Sequence, residues 1–395
     1  MKIGPATLVS AAFIGPGTVI TCSIAGSSTG YTLLWALLFS IVTTTILQEM
    51  SGRITLATGL SLAEFVNQST DKWVRITLTI VIVGAIAVGN AAYQSGNLTG
   101  GAMGIKSLLQ EFSALDLSTN FYVATLSIII FLVLIFGSYR NLEKFFVIVV
   151  LLMSSVFVLT MFVADVDWQA VIVGLLVPKA ESDGFLLVVS LIGTTVVPYN
   201  LFLHSSAVKN HGWKEENIAD FRFDLVFSIL IGGIISMSIL ITSAAASVSD
   251  PTDLYDLSQQ ITPLLGKGAS ALFSLGIFAA GVTSSITAPL AAAYAVSGLL
   301  KINIDTGSKN FQFVWLSVLI SGIVVSISGI KPLIVIQFAQ FMNGLLLPLI
   351  AFLLLFLMNS SYLGKLKNNW LQNTIGLVVT LVVFGLGIKS ILTLF

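Results

Sequence analysis

The sequence predicts an all-α membrane protein of eleven transmembrane helices, two of them broken near their middles. Three observations carry this. The 395 residues are 56% hydrophobic and only 9% charged, with a mean hydropathy of +1.00, whereas a soluble domain carries roughly 25% charged residues. Apolar runs of about 20 residues, the length that crosses a bilayer, recur from end to end. Two of those runs are interrupted by proline beside glycine or hydroxyl residues.

The runs fall at about 4–28, 31–57, 74–106, 120–138, 143–164, 184–209, 221–247, 268–300, 311–330, 332–358 and 370–394. The joints between them are short and polar, so residues 1–395 are expected to form a single transmembrane domain. The first run lacks a small-residue cleavage signature and is read as a retained span, not a signal peptide. Lys106, Lys179, Lys267, Lys331 and Lys389 fall in one set of joints and the other thirteen of the 18 Lys and Arg in the opposite set. By the positive-inside rule the N-terminus is cytoplasmic. An odd count then places the C-terminus outside. The external joints collect acids instead, among them Asp165, Asp167, Asp250, Asp253 and Asp256. Short termini without sorting signals suggest a bacterial inner membrane.

Span 1 contains Gly15-Pro16-Gly17-Thr18. Proline has no amide donor and clashes with the preceding turn, and the flanking glycines free the backbone. Span 6 repeats the device at Gly193-Thr194-Thr195-Val196-Val197-Pro198-Tyr199. Backbone groups exposed by such breaks cannot be left to lipid, so each break must face protein or a water-filled cavity. Broken helices at matching positions in two halves point to the central site of a secondary transporter. Five spans separate the prolines, so the halves, about 1–164 and 184–358, form an inverted five-plus-five repeat. Span 11, about 370–394, is an addition.

Near the breaks lie Thr18, Thr194, Thr195, Tyr199, Asn200 and His204. Span 3 carries Asn90, Gln94 and Asn97 on one face, and span 10 carries Gln337, Gln340 and Asn343. Polar residues inside spans are costly and commonly functional, although amides and hydroxyls also tie neighbouring helices together. The Thr283, Ser284, Ser285 and Thr287 cluster of span 8 is read as such glue. His204 is placed in the cytoplasmic half of span 6, where an imidazole could bond a neighbouring helix or pass protons in an aqueous vestibule. Glu49 and Arg53, four apart near the end of span 2, read as an ion pair on one helix face. Spans 1, 3, 6, 8 and 10 have no Asp or Glu in their central turns. A dehydrated divalent ion normally needs carboxylates to offset its lost water, and here only neutral oxygens are offered.

At these residues the chain resembles the Nramp family of proton-coupled divalent-metal transporters, which has the leucine-transporter-type fold. The likeness runs from Gly4-Pro5-Ala6 to span 10. It includes Gly30-Tyr31…Leu34-Trp35, Ala57-Thr58-Gly59…Leu62-Ala63-Glu64, Leu203-His204-Ser205-Ser206 and Ala279-Ala280-Gly281…Ser284-Ser285…Thr287. The family's first break reads Asp-Pro-Gly-Asn, with the Asp and Asn side chains binding metal, where this chain has Gly15-Pro16-Gly17-Thr18. Its second reads Met-Pro-His, where this chain has Val197-Pro198-Tyr199, so the sulfur that favours softer metals is gone. The resemblance implies a backbone-carbonyl ligand at Thr194 and an approach of Gln340 to the ion. Thr18, Thr194 and Gln340 are therefore the metal-ligand candidates. The family's acidic proton path maps onto Gln94 and Asn97, both uncharged, and His204 matches a retained histidine.

A substrate site is thus expected at Gly15, Thr18, Thr194, Thr195, Val197, Tyr199 and Gln340, with breaks at Pro16, Gly17 and Pro198. Gln94, Asn97, His204 and Asn343 would line the pathway. The leading functional reading is alternating-access transport of a divalent cation that stays partly hydrated, Mg²⁺ being the natural candidate, without proton coupling. A carrier of a neutral or zwitterionic organic solute, its carboxylate held by half-helix amides, is the alternative, and a non-transporting receptor or scaffold ranks last. No nucleophile–base pair or metal triad points to an enzyme. Equal acids and bases, 18 each, suggest no nucleic-acid partner, and a single cysteine, Cys22, excludes a disulfide framework and a Cys-based metal site. The expected partners are the lipid bilayer and a small solute or metal ion, with no cofactor.

Overall fold

The computed structural model describes residues 14–69, 71–112, 117–136, 140–180, 184–246, 254–301 and 307–392. Outside them fall the first half of span 1 with Gly4-Pro5-Ala6, Lys2, most of the joint after span 4, and Asp250 and Asp253. Every regular element among the described residues is helical. In chain order these are α1 (Pro16–Thr29), α2 (Leu34–Thr58), α3 (Leu62–Ser69), α4 (Lys72–Phe112), α5 (Thr119–Phe136), α6 (Arg140–Val163), α7 (Trp168–Leu176) and α8 (Phe185–Thr195). There follow α9 (Pro198–His211), α10 (Ile218–Ala245), α11 (Leu254–Ser258), α12 (Thr262–Leu265), α13 (Ala269–Leu300), α14 (Lys309–Ser326), α15 (Pro332–Leu357) and α16 (Trp370–Leu392).

Spans 2 to 11 lie within a few residues of their expected bounds. Among the described residues nine helices, counting the broken span 6 as one, are long and apolar enough to cross a membrane, and ten if α6 and α7 are joined. Span 1 is represented by α1 alone. The breaks follow from proline. Residues before proline are driven out of the helical region, and Gly15 (φ −85°, ψ 172°) and Val197 (φ −86°, ψ 121°) are both extended. Pro16 and Pro198 then occupy the first helical position, where a missing amide costs nothing.

Short helices in the joints are the main departure from expectation. After a 117° bend at residues 164–167, α7 is capped by Asp167, whose carboxylate accepts from the Ala170 amide at 3.0 Å. The chain beyond it is fastened by the Trp35 indole, which donates to the Lys179 carbonyl at 2.9 Å. Between α10 and α13 the Gln260 amide donates to Ser23 Oγ at 2.8 Å, holding this joint to α1.

The broken span sits at the centre. Of its most apolar stretch 83% is buried, against 28% for α5 and α16 at the rim. Large apolar side chains such as Phe136, Phe313 and Leu392 are exposed there, as a lipid-facing surface requires. Helices approach closely at small residues, the usual device where no water drives association. A methyl on Gly100 would lie 2.4 Å from Pro16, and one on Gly281 2.4 Å from the Gly101 Cα, so α4 touches both α1 and α13 at main-chain distance.

Candidate functional site at the two helix breaks

Gly15, itself extended, faces α4 and α13. A Cβ built on it would lie 3.2 Å from the Tyr93 hydroxyl, 3.2 Å from Ser284 Oγ and 4.0 Å from Asn97 Oδ1. Two residues on, Gly17 leaves room for the Gln340 side chain, whose Nε2 would sit 1.9 Å from a Cβ there. Gln340 also reaches the second break, because its carbonyl oxygen lies where a Cβ of Gly193 would be. One residue of α15 thereby touches both interrupted spans. Beyond the second break, the Tyr199 ring meets Tyr93 edge-on with centroids 5.4 Å apart, and Val197 joins the same buried cluster. The Tyr93 hydroxyl lies among those of Tyr199 and Ser284.

Each expected substrate residue is buried, with Thr18 at 2%, Thr194 at 0% and Gln340 at 1% exposure. At Thr194 the hydroxyl donates to the Leu191 carbonyl at 2.7 Å and contacts Thr195 Oγ1 at 3.3 Å. Its carbonyl has no amide four residues on to accept from, because that position is Pro198. Several deep polar atoms have no hydrogen-bond partner among the described residues. Both polar atoms of Asn90, Asn200 and Asn343, Asn97 Nδ2 and Gln340 Oε1 are in this state. An unsatisfied buried group costs about 1–3 kcal/mol, and spans 3, 6 and 10 each carry a buried polar atom whose partner is not supplied by the described residues.

Two expectations change. Gln94 carries a bond that the sequence reading did not anticipate: Pro289 lies inside α13 and cannot donate to the carbonyl four residues back. Gln94 Nε2 donates to that Ser285 carbonyl at 3.2 Å, so the side chain repairs α13. His204 is fully buried, not in an aqueous vestibule. Its ring stands 5.8 Å from that of Phe221 and near Gly52 of α2, and neither nitrogen has a partner among the described residues. Conversely, Tyr93, not singled out in the sequence, and Ser284, expected to be helix glue, both stand beside Gly15. Tyr93 falls between Asn90 and Asn97 on the same face of α4, so extending that polar stripe to aromatics would have found it.

Among the described residues, Glu49 and Glu64 each accept from basic side chains. The Glu49 carboxylate accepts from Arg53 at 3.0 Å, as expected, and also from Arg222 at 2.7 Å. Ser61 and Glu64 form a capping box on α3, with Glu64 accepting from the Ser61 amide at 2.8 Å. Lys209 of α9 donates to the same carboxylate at 2.6 Å. Burial alone would raise the Glu64 pKa, but the bonds from Lys209 and Ser61 outweigh it and hold the carboxyl below its usual value. A depressed carboxylate pKa gives stability that is present above the unfolded value and lost as pH falls through the folded one. Hydrogen exchange over residues 62–69 should therefore speed up as pH drops below the ordinary carboxylate range, after correction for intrinsic rates. A Glu64→Gln variant should show no such step. Equal protection at neutral and strongly acid pH in the wild type would refute this.

A family model described as natural resistance-associated macrophage protein-like matches residues 6–393. The chain belongs to the Nramp family. Nramp proteins are secondary transporters and not enzymes. Among Nramp relatives, the "Natural resistance-associated macrophage protein 2 homolog" of Dictyostelium discoideum is 29% identical over 99% of this chain, which spans 63% of that protein. The "Divalent metal cation transporter MntH" of Bacillus subtilis is 29% identical, over 96% of this chain and 89% of its own. Of solved structures, the Eremococcus coleocola manganese transporter superposes with a TM-score of 0.77 at 19% identity, covering 98% of this chain and 85% of that one. Mhp1, a nucleobase-cation-symport-1 family transporter, gives 0.62 at 13% identity, over 99% and 91%. Both likenesses bear on the fold, which is of the leucine-transporter type.

Proposed function

We propose that this Nramp chain is a secondary transporter working by alternating access, moving a divalent metal cation that keeps part of its hydration shell, without proton coupling. Its two halves, about 1–164 and 184–358, act as inverted repeats of one domain in a cell membrane, with the N-terminus cytoplasmic and the C-terminus outside. The substrate class follows the names of relatives such as the MntH divalent metal cation transporter. The single observation that carries the finer reading is the surroundings of Gly15. Where a side chain at the first break would project, two neutral hydroxyls, of Tyr93 and Ser284, stand instead.

Near the two breaks lie the Asn97 and Gln340 amides, the Thr194 carbonyl left without a partner in its own helix by Pro198, and Thr18. None brings a full negative charge to offset the stripping of water. Mg²⁺ gives up its water reluctantly and is commonly bound through it, so a neutral, hydrogen-bonding cage suits it better than a tightly dehydrated soft metal. Val197 at the second break offers no sulfur. Gln94 and Asn97 have no proton to carry across the bilayer. A second reading, an organic solute with a carboxylate, draws on the first turns of α1 and α9, whose N-caps Gly15 and Val197 supply no side-chain bond.

Proteoliposomes decide between these. Mg²⁺ uptake down its gradient is expected, at a rate unchanged by an imposed pH gradient. Proton influx in step with the cation would overturn the uncoupled mechanism. Calorimetric heat with small amino acids and none with Mg²⁺ or Mn²⁺ would overturn the cation.

A further inference from the structure

We infer that Tyr93 is the specificity-determining residue of this site: its hydroxyl, reaching across from α4, takes the place that a side chain at position 15 would fill and presents a neutral oxygen to the substrate there. The inference rests on the cation reading above and goes beyond it by naming the group that sets the choice of ion.

Four observations converge on Tyr93. Its hydroxyl lies 3.2 Å from the Cβ position of Gly15, so any larger residue at 15 competes with it for space. The ring is 2% exposed and packed with Tyr199 and Val197, so one side chain of α4 meets the start of α9 at the second break and stands beside Gly15 at the first. Asn90 and Asn97, one turn to either side on the same face, have unpartnered buried amide atoms, which puts Tyr93 in the middle of a polar stripe and not at its edge. The Ser284 hydroxyl flanks the same spot from α13, so helices from both halves supply uncharged oxygen around Gly15.

The chemistry follows from the phenol. It can donate to a substrate's bound water or accept from it, and it stays uncharged at neutral pH. It therefore bonds a hydrated divalent ion without the attraction that would repay dehydration. An aspartate at 15 would do the reverse, and with its Cβ already 3.2 Å from the hydroxyl the phenol would have to give way.

The test is uptake by proteoliposomes of wild type, Tyr93→Phe and Gly15→Ala, each with Mg²⁺ and with Mn²⁺. Tyr93→Phe keeps the ring packing and removes only the oxygen. Losing one hydrogen bond to the bound substrate should raise KM for Mg²⁺ about tenfold, with the maximal rate and the thermal unfolding midpoint little changed. A role confined to bonding the neighbouring Tyr199 and Ser284 hydroxyls would lower the midpoint and leave KM alone. Gly15→Ala, permitted by the backbone at φ −85°, presses a methyl on the hydroxyl from the other side. It should raise KM for Mg²⁺ in the same sense, and it serves as the measurement if the phenylalanine variant does not fold. Unchanged KM for Mg²⁺ in a folded Tyr93→Phe, or in Gly15→Ala if only that variant folds, overturns the assignment of Tyr93 while the transport reading stands. A wild type that takes up neither ion overturns the cation reading and this inference with it.

Discussion

Gly193→Ala is expected to abolish uptake and to lower stability sharply. The added methyl would lie 2.0 Å from the Gln340 carbonyl oxygen and 2.6 Å from the Gly344 amide nitrogen. Both are main-chain atoms of α15, so no side chain can rotate away and the two helices must separate. Overpacking of a close-fitting core costs about 1–3 kcal/mol and occasionally more, and a backbone clash belongs at the top of that range. The separation would also pull Gln340 from the first break, coupling lost stability to lost transport. Gly84→Ala is the control, since nothing lies within 4 Å of its Cβ position and alanine favours a helix interior over glycine. If Gly193→Ala unfolds at the wild-type temperature and transports normally, the contact of α8 with α15 is not as described.

The second large effect concerns Glu49. Its carboxylate sits between Arg53, which is 3% exposed, and Arg222, which is 46% exposed. Arg53 also donates to Asn368 Oδ1 at 2.7 Å and to the Leu366 carbonyl at 3.2 Å, so it fastens α2 to the segment leading into α16. Glu49→Ala would leave a buried guanidinium with neutral acceptors only and a second arginine nearby. Removing one partner of a buried pair costs about 3–5 kcal/mol. Because Glu49 keeps 18% exposure and Arg222 meets solvent, the lower end, about 3 kcal/mol, is expected. Replacing Glu49 and Arg53 together with leucine should recover much of that loss, since apolar replacement of a buried pair is often neutral. Unfolding midpoints in detergent read both outcomes. A double variant no better than Glu49→Ala would show that the arginine's bonds to Asn368 and Leu366 matter more than its charge balance.

Much of this architecture was legible because a bilayer imposes simple rules. Run length located spans 2 to 11, and Pro198 located the second break to the residue, because a missing amide and a steric clash act locally. The helices α3, α7, α11 and α12 were not legible, since a turn or two of helix carries no periodicity that separates it from a polar joint. His204 lies in the second half of span 6 as expected, but which of its two expected surroundings it has was not legible, for a different reason. Its burial is decided by Phe221 and Gly52, residues distant in sequence whose approach no local pattern encodes. Gln94 looked like a pathway residue because any amide in a span does. Only the three-dimensional pairing with the carbonyl opposite Pro289 reveals its bond. Tyr93 was overlooked because an aromatic in an apolar run reads as core, and it is core, apart from one oxygen.

The bond from Gln94 to Ser285 has a mechanical consequence. Within α13 it does the work of a missing intrahelical bond, yet its donor belongs to α4, so bending one helix strains the other. With Gly101 and Gly281 holding their backbones in contact, α4 and α13 are fastened to each other like the two rails of a spar. Tyr93 and Ser284 both ride on that spar, whereas Gly15, Thr194 and Tyr199 lie on the severed ends beside it. In the alternating cycle proposed above, the proline-started half-helices would then be the parts that move past a hydroxyl wall held by two helices at once.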